Sequence, residues 1–324
     1  MLTLSQVDIK QIFTMKEAIL ASKEALAMHT RGKSIVPLRT NINIPNYHGQ
    51  SLFMPAYSEE LDITGVKIVS FFPNNVKTGK PSILGQMILI DGKDGEIFAM
   101  IDGTYLTQLR TGALQGAATD LLAKKDAKCA LLIGTGGQAA TQLEALLNVR
   151  DLDEVRVYGI NYERTQQFVF KMQEELTQFK TRIIAISNCD KAVKEADIIT
   201  TITSSKVPVF DGGLVQPGTH INGIGSYTPE MQELPESIIK VADKIFFDTK
   251  EGVLVEAGDI IIPLKNRSIN KTNFTGDLGE LILNIVKGRE TNSEITIFKA
   301  VGTAVLDLVT AFRIYTKALN HRVK

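Results

Sequence analysis

Residues 129–139 read CALLIGTGGQA, an apolar run that breaks into glycines before a helical pattern begins. Cys129 to Ile133 is the length of a strand buried on both faces, as strands of a parallel sheet are. Beyond the glycines, Leu143, Leu146 and Leu147 recur at helical spacing. Strand, tight turn and helix start together suit a pyrophosphate. Gly134 permits the turn, and Gly136 lets the backbone approach the anion. The helix N-terminus offers unpaired N–H groups and the positive end of its dipole. Ala139 stands where a third glycine is usual, an accepted variant. Dinucleotide contacts are therefore expected from Gly134, Thr135, Gly136, Gly137, Gln138 and Ala139. A tight turn in an ordinary α/β domain is the alternative reading.

The chain has 324 residues, enough for one or two domains with a substantial core. Its 36 basic and 36 acidic side chains cancel, which gives no electrostatic footprint for nucleic acid and no acidic tail. The two cysteines, Cys129 and Cys189, have no metal-ligand spacing and read as reduced thiols of an intracellular protein. No apolar run has the length of a membrane span, and the N-terminus has no secretory h-region. The expectation is a soluble cytoplasmic protein without nucleic-acid or membrane partners.

Thr14 and Glu17 form a capping box at the head of a helix that Gly32 ends. Residues 35–44 alternate, with Val36, Leu38, Thr40, Ile42 and Ile44 on one face and Arg39, Asn41 and Asn43 on the other. Further strands are expected at 51–57, 65–72, 83–91 and 96–101, the last two joined as a hairpin through Asp91-Gly92-Lys93-Asp94-Gly95. A helix over 104–125 leaves this mostly antiparallel region. Strands at 129–133, 155–158, 182–186, 197–203, 219–224 and 244–247 then alternate with helices, among them 163–178 and 190–196, which predicts a doubly wound parallel sheet. Helices are expected at 278–286 and 300–319. The last is expected to return to the N-terminal part, giving a discontinuous domain of 1–115 with 298–324 around a dinucleotide domain of 116–297.

An acid commonly ends the second strand of such a sheet and holds the cofactor ribose. Here the strand ends Tyr158-Gly159-Ile160-Asn161, with no acid. That absence removes the repulsion of a 2′-phosphate, to which Asn161 and Arg164 could donate, so the reading favours NADPH. NADH stays open as the alternative. Hydroxyls of the run 201–205, Thr201 and Thr203 among them, are expected to line the dinucleotide or to cap the strand end.

Three cations sit in unusual surroundings. Arg39 lies within the alternating strand, Lys67 between Val66 and Ile68, and Arg110 in the helix segment 106–118, which has no other charge. A buried cation needs an anion. The bland reading is an internal salt bridge. The strand nearest Lys67 offers no obvious acid, which favours a ligand carboxylate, and an arginine fork fits one bidentately. His48 and His220 are expected to be structural, and no Ser-His-Asp or Cys-His spacing is present.

Seven stretches carry a resemblance: SLFMPAY (51–57), GVKIVSFFPNN (65–75), IDGTYLTQLRTGA (101–113), LLIGTGGQAATQLEAL (131–146), INGIGSYTPEMQEL (221–234), GDLGEL (276–281) and FKAVGTAVLDL (298–308). In that order they resemble the ornithine cyclodeaminase/μ-crystallin family over essentially the whole chain. The resemblance implies a homodimer. It implies a discontinuous α+β substrate/dimerisation domain beside a Rossmann domain, and a nicotinamide cofactor acting on small α-amino or α-imino acids. It places Arg39, Lys67, Ser82 and Arg110 at substrate positions, and adds Arg110, Thr111, Ser226 and Ala300 to the cofactor contacts.

One departure selects among the activities. The cyclodeaminases resemble Gly-x-Asp-x-Pro-Gly-Lys where this chain reads Gly225-Ser226-Tyr227-Thr228-Pro229-Glu230-Met231. Tyr227 replaces the aspartate that handles the amine, and a phenol is a poor base near neutral pH. Met54 stands where cyclodeaminases tend to have an acid. The expected activity is therefore NAD(P)H-dependent reduction of a cyclic imino acid, Δ1-pyrroline-2-carboxylate or its six-membered homologue. Arg39 and Arg110 would clamp the carboxylate and Lys67 would supply the proton. Ornithine cyclodeaminase, alanine dehydrogenase and a non-catalytic NADPH-binding crystallin-like protein are the alternatives.

Overall fold

Alternating strands and unbroken apolar runs build different sheets, because one kind has a single buried face and the other has two. The computed structural model describes residues 1–322. The chain divides into two units, Met1–Arg110 with the segment from Thr303 onward, and Thr111–Gly302. The expected limits of the second unit, 116 and 297, lie inside these.

The first unit holds β1 (Leu2–Leu4), α1 (Gln6–Ile12), α2 (Met15–Thr30), β2 (Ser34–Ile35), β3 (Thr40–Ile44), β4 (Gly49–Ser58), β5 (Ile63–Phe71), β6 (Ile83–Asp91) and β7 (Ile97–Asp102). Helix α3 (Gly103–Leu122) leads out of it. The sheet runs β1-β7-β6-β5-β4-β2, with β3 also on β4. Only β1 pairs parallel. The capping box forms as expected: Glu17 N–H donates to Thr14 Oγ1 (3.3 Å) and Thr14 N–H to Glu17 Oε2 (2.8 Å). Gly32 ends the helix at φ +71°.

Residues 35–44 are not one strand. They split into β2 and β3, and the residues between are irregular. Pro37 lies in that gap and has no N–H for a ladder. Arg39 is therefore half-buried in the connection before β3, and Leu38 and Ile42 are exposed instead of sharing a buried face.

The second unit continues with β8 (Cys129–Ile133), α4 (Ala139–Val149), β9 (Glu154–Tyr158), α5 (Tyr162–Glu175), β10 (Arg182–Ile186), α6 (Cys189–Glu195), β11 (Ile198–Thr201) and β12 (His220–Gly223). Then come α7 (Glu236–Val241), β13 (Lys244–Phe247), α8 (Lys250–Glu256), α9 (Gly258–Lys265), β14 (Gly276–Asp277), α10 (Leu278–Ile282) and β15 (Thr296–Lys299). All eight strands are parallel, in the order β10-β9-β8-β11-β12-β15-β13-β14. Strand β15 has no counterpart in the sequence reading, and it inserts between β12 and β13.

The chain returns to the first unit as α11 (Ala304–Arg322). This helix begins at 304 rather than 300, because 296–299 are extended and Gly302 turns the chain at φ +83°. Similarly, α10 ends early, with Asn284 at φ +58°. Helix α11 packs on α2 and across β4, β5 and β6. No helix among the described residues is long and apolar enough to cross a membrane.

Candidate active site

In the second unit, β8 lies between β9 and β11, where the strand order reverses. Ligands of such sheets bind outside the carboxyl ends at this switch point. Gly134 leaves β8 at φ +116°, and a Cβ there would sit 2.5 Å from the Ile202 carbonyl, so only glycine fits. Around Gly136 a Cβ would meet nothing within 4 Å, so its backbone faces open space. Gln138 caps α4 without a side-chain hydrogen bond; Ala139 N–H donates to the Gly136 carbonyl (3.0 Å), and the N–H groups that follow in the first turn suit an outside acceptor. The turn fits a pyrophosphate. Thr135 and Gln138 are half-buried, Gly137 is exposed and Ala139 is buried.

Asn161 is the N-cap of α5, its Oδ1 accepting Arg164 N–H at 2.9 Å, and both residues are exposed. The cap uses the acceptor end of the Asn161 amide, whose other end is a donor.

The hydroxyls of two residues expected near the cofactor meet carbonyls of the chain. Thr201 is fully buried with its hydroxyl 3.5 Å from the Asn222 carbonyl, and Ser226 is fully buried with its hydroxyl donating to the Met231 carbonyl (2.9 Å). Each hydroxyl thus has a partner within the protein, as buried polar groups do. Thr203 is half-buried, and Ala300 is buried with its N–H on Gly223 O (3.2 Å). His220 is structural as expected: its ring nitrogens meet Thr296 Oγ1 (2.8 Å) and Asn222 Oδ1 (3.0 Å), and burial drives its pKa down to about 3. His48 is an exposed turn residue at φ +51°.

In the first unit, strand alternation turns Lys67 inward, in register with Met54 on β4 and Met87 on β6, both buried. Lys67 is 1% exposed. Asp307 of α11 reaches it: Lys67 Nζ donates to Oδ2 at 2.7 Å, and Arg110 Nε donates to Oδ1 at 2.9 Å. Asp307 is fully buried and Arg110 nearly so. Of the two readings of these cations, the internal salt bridge is therefore the one that Lys67 and Arg110 form. The acid comes from 240 positions away. A signal was present: Asp307 is the lone charge in the apolar run 304–312.

Burial drives the Lys67 ammonium down to about 7; Asp307 opposes it, while the charges of Arg110 and Arg39 add to it. Burial works to raise the Asp307 carboxyl, but Arg110 and Lys67 outweigh it and hold the group below its ordinary value. Arg39 is thus close enough to act on Lys67 although its strand is not as expected. One carboxylate faces two hydrogen-bonded cations, so the cluster retains positive charge for an anionic ligand. Thr111 follows Arg110 on α3, half-buried. Ser82 precedes β6, half-buried, and its carbonyl accepts from Phe72 N–H (2.8 Å).

The chain is 38% identical over 323 residues to the Delta(1)-pyrroline-2-carboxylate reductase of Bacillus cereus, covering all of this chain and 98% of that protein. Its fold superposes with a TM-score of 0.93 on the Thermococcus litoralis Delta(1)-pyrroline-2-carboxylate reductase in complex with NADH and L-proline, at 40% identity, covering 99% of this chain and 98% of the other. An archaeal alanine dehydrogenase dimer with bound NAD gives a TM-score of 0.90 at 33% identity, over 99% and 97% of the two chains. The model of the ornithine cyclodeaminase/mu-crystallin family matches residues 1–322, and the chain belongs to that family.

Proposed function

We propose that the protein reduces a small cyclic imino acid, Δ1-pyrroline-2-carboxylate or its six-membered homologue, to proline or pipecolate with NAD(P)H. The observation that carries this reading is the buried Lys67–Asp307–Arg110 cluster, with two cations on one carboxylate and a lysine titrating at about 7. Similarity to reductases named for that substrate supports it.

When bound, the nicotinamide supplies hydride to the imine carbon. Arg39 and Arg110 hold the substrate carboxylate. Asp307 fixes Arg110 by one nitrogen and Lys67 by another, so both are oriented before substrate arrives. Lys67 delivers the proton to the ring nitrogen, a role for which a pKa near the working pH is best matched. Met54 beside Lys67 adds no charge, whereas an acid there would raise the lysine and attract a substrate amine.

Removing the substrate carboxylate tests the clamp. A charged hydrogen bond lost from a desolvated site costs about 2–4 kcal/mol, roughly 30- to 1000-fold. Δ1-Pyrroline should therefore show kcat/KM lower by that factor than its 2-carboxylate. Equal values for the two imines would refute the clamp.

We propose NADPH as the preferred cofactor, since no acid follows Tyr158. A Cβ at Gly159 would sit 2.6 Å from Thr165 Oγ1, so an aspartate needs room made for it. Gly159→Asp combined with Thr165→Ala should shift the ratio of dissociation constants towards NADH by about tenfold or more, read by fluorescence titration. A wild-type protein that already binds NADH far better than NADPH would contradict this.

We also propose a homodimer through the first unit's sheet. Pro55, Val66, Ile88 and Met100 form a register row that alternates with the buried row Met54, Lys67, Met87 and Ile101, and the outward row is only half-buried. Such an apolar face calls for cover. Sedimentation should give a dimer at micromolar concentration, and a monomer there would refute the proposal.

A further inference from the structure

We propose that Glu233 is a positioning residue for the nicotinamide cofactor: its buried carboxylate sets the spacing of the loops that follow β11 and β12. The proposal rests on the cofactor reading above. Glu233 lies outside every strand and helix and is fully buried. Its Oε1 accepts Thr203 N–H at 2.5 Å, and its Oε2 accepts Gly225 N–H at 2.6 Å and Ser226 N–H at 2.9 Å. Thr203 follows β11; Gly225 and Ser226 follow β12. One carboxylate thus joins two loops at the carboxyl edge of the sheet, where ligands of this architecture bind.

The fit is close. A Cβ on Gly225 would lie 2.2 Å from the Thr203 carbonyl and 2.6 Å from Glu233 Oε1. Ile202, the neighbour of Thr203, carries the carbonyl against which Gly134 packs. A displacement of Thr203 therefore passes directly to the glycine turn.

Glu233 is itself held. Asp259 Oδ1 accepts the N–H groups of Glu233 (2.6 Å) and Leu234 (2.8 Å). Asp259 Oδ2 pairs with Lys299 Nζ at 3.0 Å, and that ammonium also donates to the carbonyl of Gly223, the last residue of β12, at 3.0 Å. The circuit closes on the strand whose loop Glu233 holds. Burying two carboxylates and one ammonium adds little to stability in itself, because desolvation offsets the attraction. What it does supply is geometry. Both Glu233 oxygens face N–H donors, a pattern that suits a carboxylate at each end; burial works to raise the group's pKa, and the charge of Lys299 and the bonds from Thr203 oppose it.

Glu233→Gln keeps the shape but turns an NH2 group towards backbone N–H donors. In the full-length protein the NADPH dissociation constant, from fluorescence titration, should rise roughly 10- to 100-fold. The KM for the imino acid at saturating NADPH should stay within about threefold, since that site holds none of these groups. Wild-type NADPH affinity in Glu233→Gln, or equal losses in both parameters, would overturn the proposal. Hydrogen exchange of the cofactor-free wild-type protein decides the matter if the variant does not fold. The Thr203, Gly225 and Ser226 amides should be protected, and free exchange at all three would overturn the proposal. A wild-type protein that binds no nicotinamide cofactor would overturn the functional reading itself, and this proposal with it.

Discussion

Asp307→Asn should lower kcat/KM for imine reduction by about 100- to 1000-fold and reduce the melting temperature. Asparagine matches aspartate in shape but carries no charge. Its oxygen can accept from one of the two cations, while its NH2 faces the other. Removing one partner of a buried ion pair costs about 3–5 kcal/mol. The protein can relieve part of this by releasing a proton from Lys67. Asp307 is the group that holds the lysine up against burial and the charges of Arg110 and Arg39. Without it the lysine falls below its present value of about 7 and is neutral at the assay pH. A general acid is worth roughly 100- to 10,000-fold, so its loss accounts for the predicted factor. NADPH affinity should remain, because Asp307 and the glycine turn belong to different units. The pH optimum for reduction should move to the acid side. An Asp307→Asn protein with wild-type kcat/KM at every pH would refute the role assigned to this carboxylate.

Lys67 substitutions should have the next largest effect. With Lys67 as the proposed proton donor, the ammonium would be the reactive form for reduction. With a pKa of about 7, kcat/KM for the imine should be high below neutrality and fall as pH rises through that value. Proline oxidation needs the neutral amine, so its rate should rise through the same region. Lys67→Ala should lower kcat for reduction by about 100-fold or more and remove that limb, leaving only any limb due to the substrate's own ionisation. Lys67→Arg should not restore activity, since guanidinium holds its proton throughout this range. A fully active Lys67→Arg enzyme would exclude the lysine as proton donor, and so would a flat profile across neutrality.

What was legible in the sequence is what local chemistry dictates. The run 129–133, the turn at Gly134 and the apolar spacing beyond it are set by neighbours in the chain, and they appear as β8 and α4. The Thr14–Glu17 capping box is equally local. The apolar neighbours Val66 and Ile68 marked Lys67 as a cation in unusual surroundings, and it is buried. That neighbourhood could not name the partner, since Asp307 reaches the lysine through packing of α11 on β5 and not through sequence proximity. Strand β15 was missed for the same reason: four residues show little periodicity, and their place is fixed by β12 and β13. At 35–44 the alternation misled, because the pattern test ignores the N–H that Pro37 lacks. Thr201 and Ser226 share that lesson. Thr201 was marked by residue type and Ser226 by resemblance, and neither signal shows that the hydroxyls meet the carbonyls of Asn222 and Met231. Glu233 lay in a quoted motif without a role, since its donors come from two loops up to 30 positions away.

The most direct measurement is oxidation of NADPH by the purified protein with four substrates in parallel: Δ1-pyrroline-2-carboxylate, its six-membered homologue, pyruvate with ammonia, and, in the reverse sense with NADP, ornithine. Products are identified by chromatography. The account predicts rapid turnover of one or both cyclic imino acids to proline or pipecolate, and no proline from ornithine. Faster amination of pyruvate, or robust conversion of ornithine to proline, would contradict it.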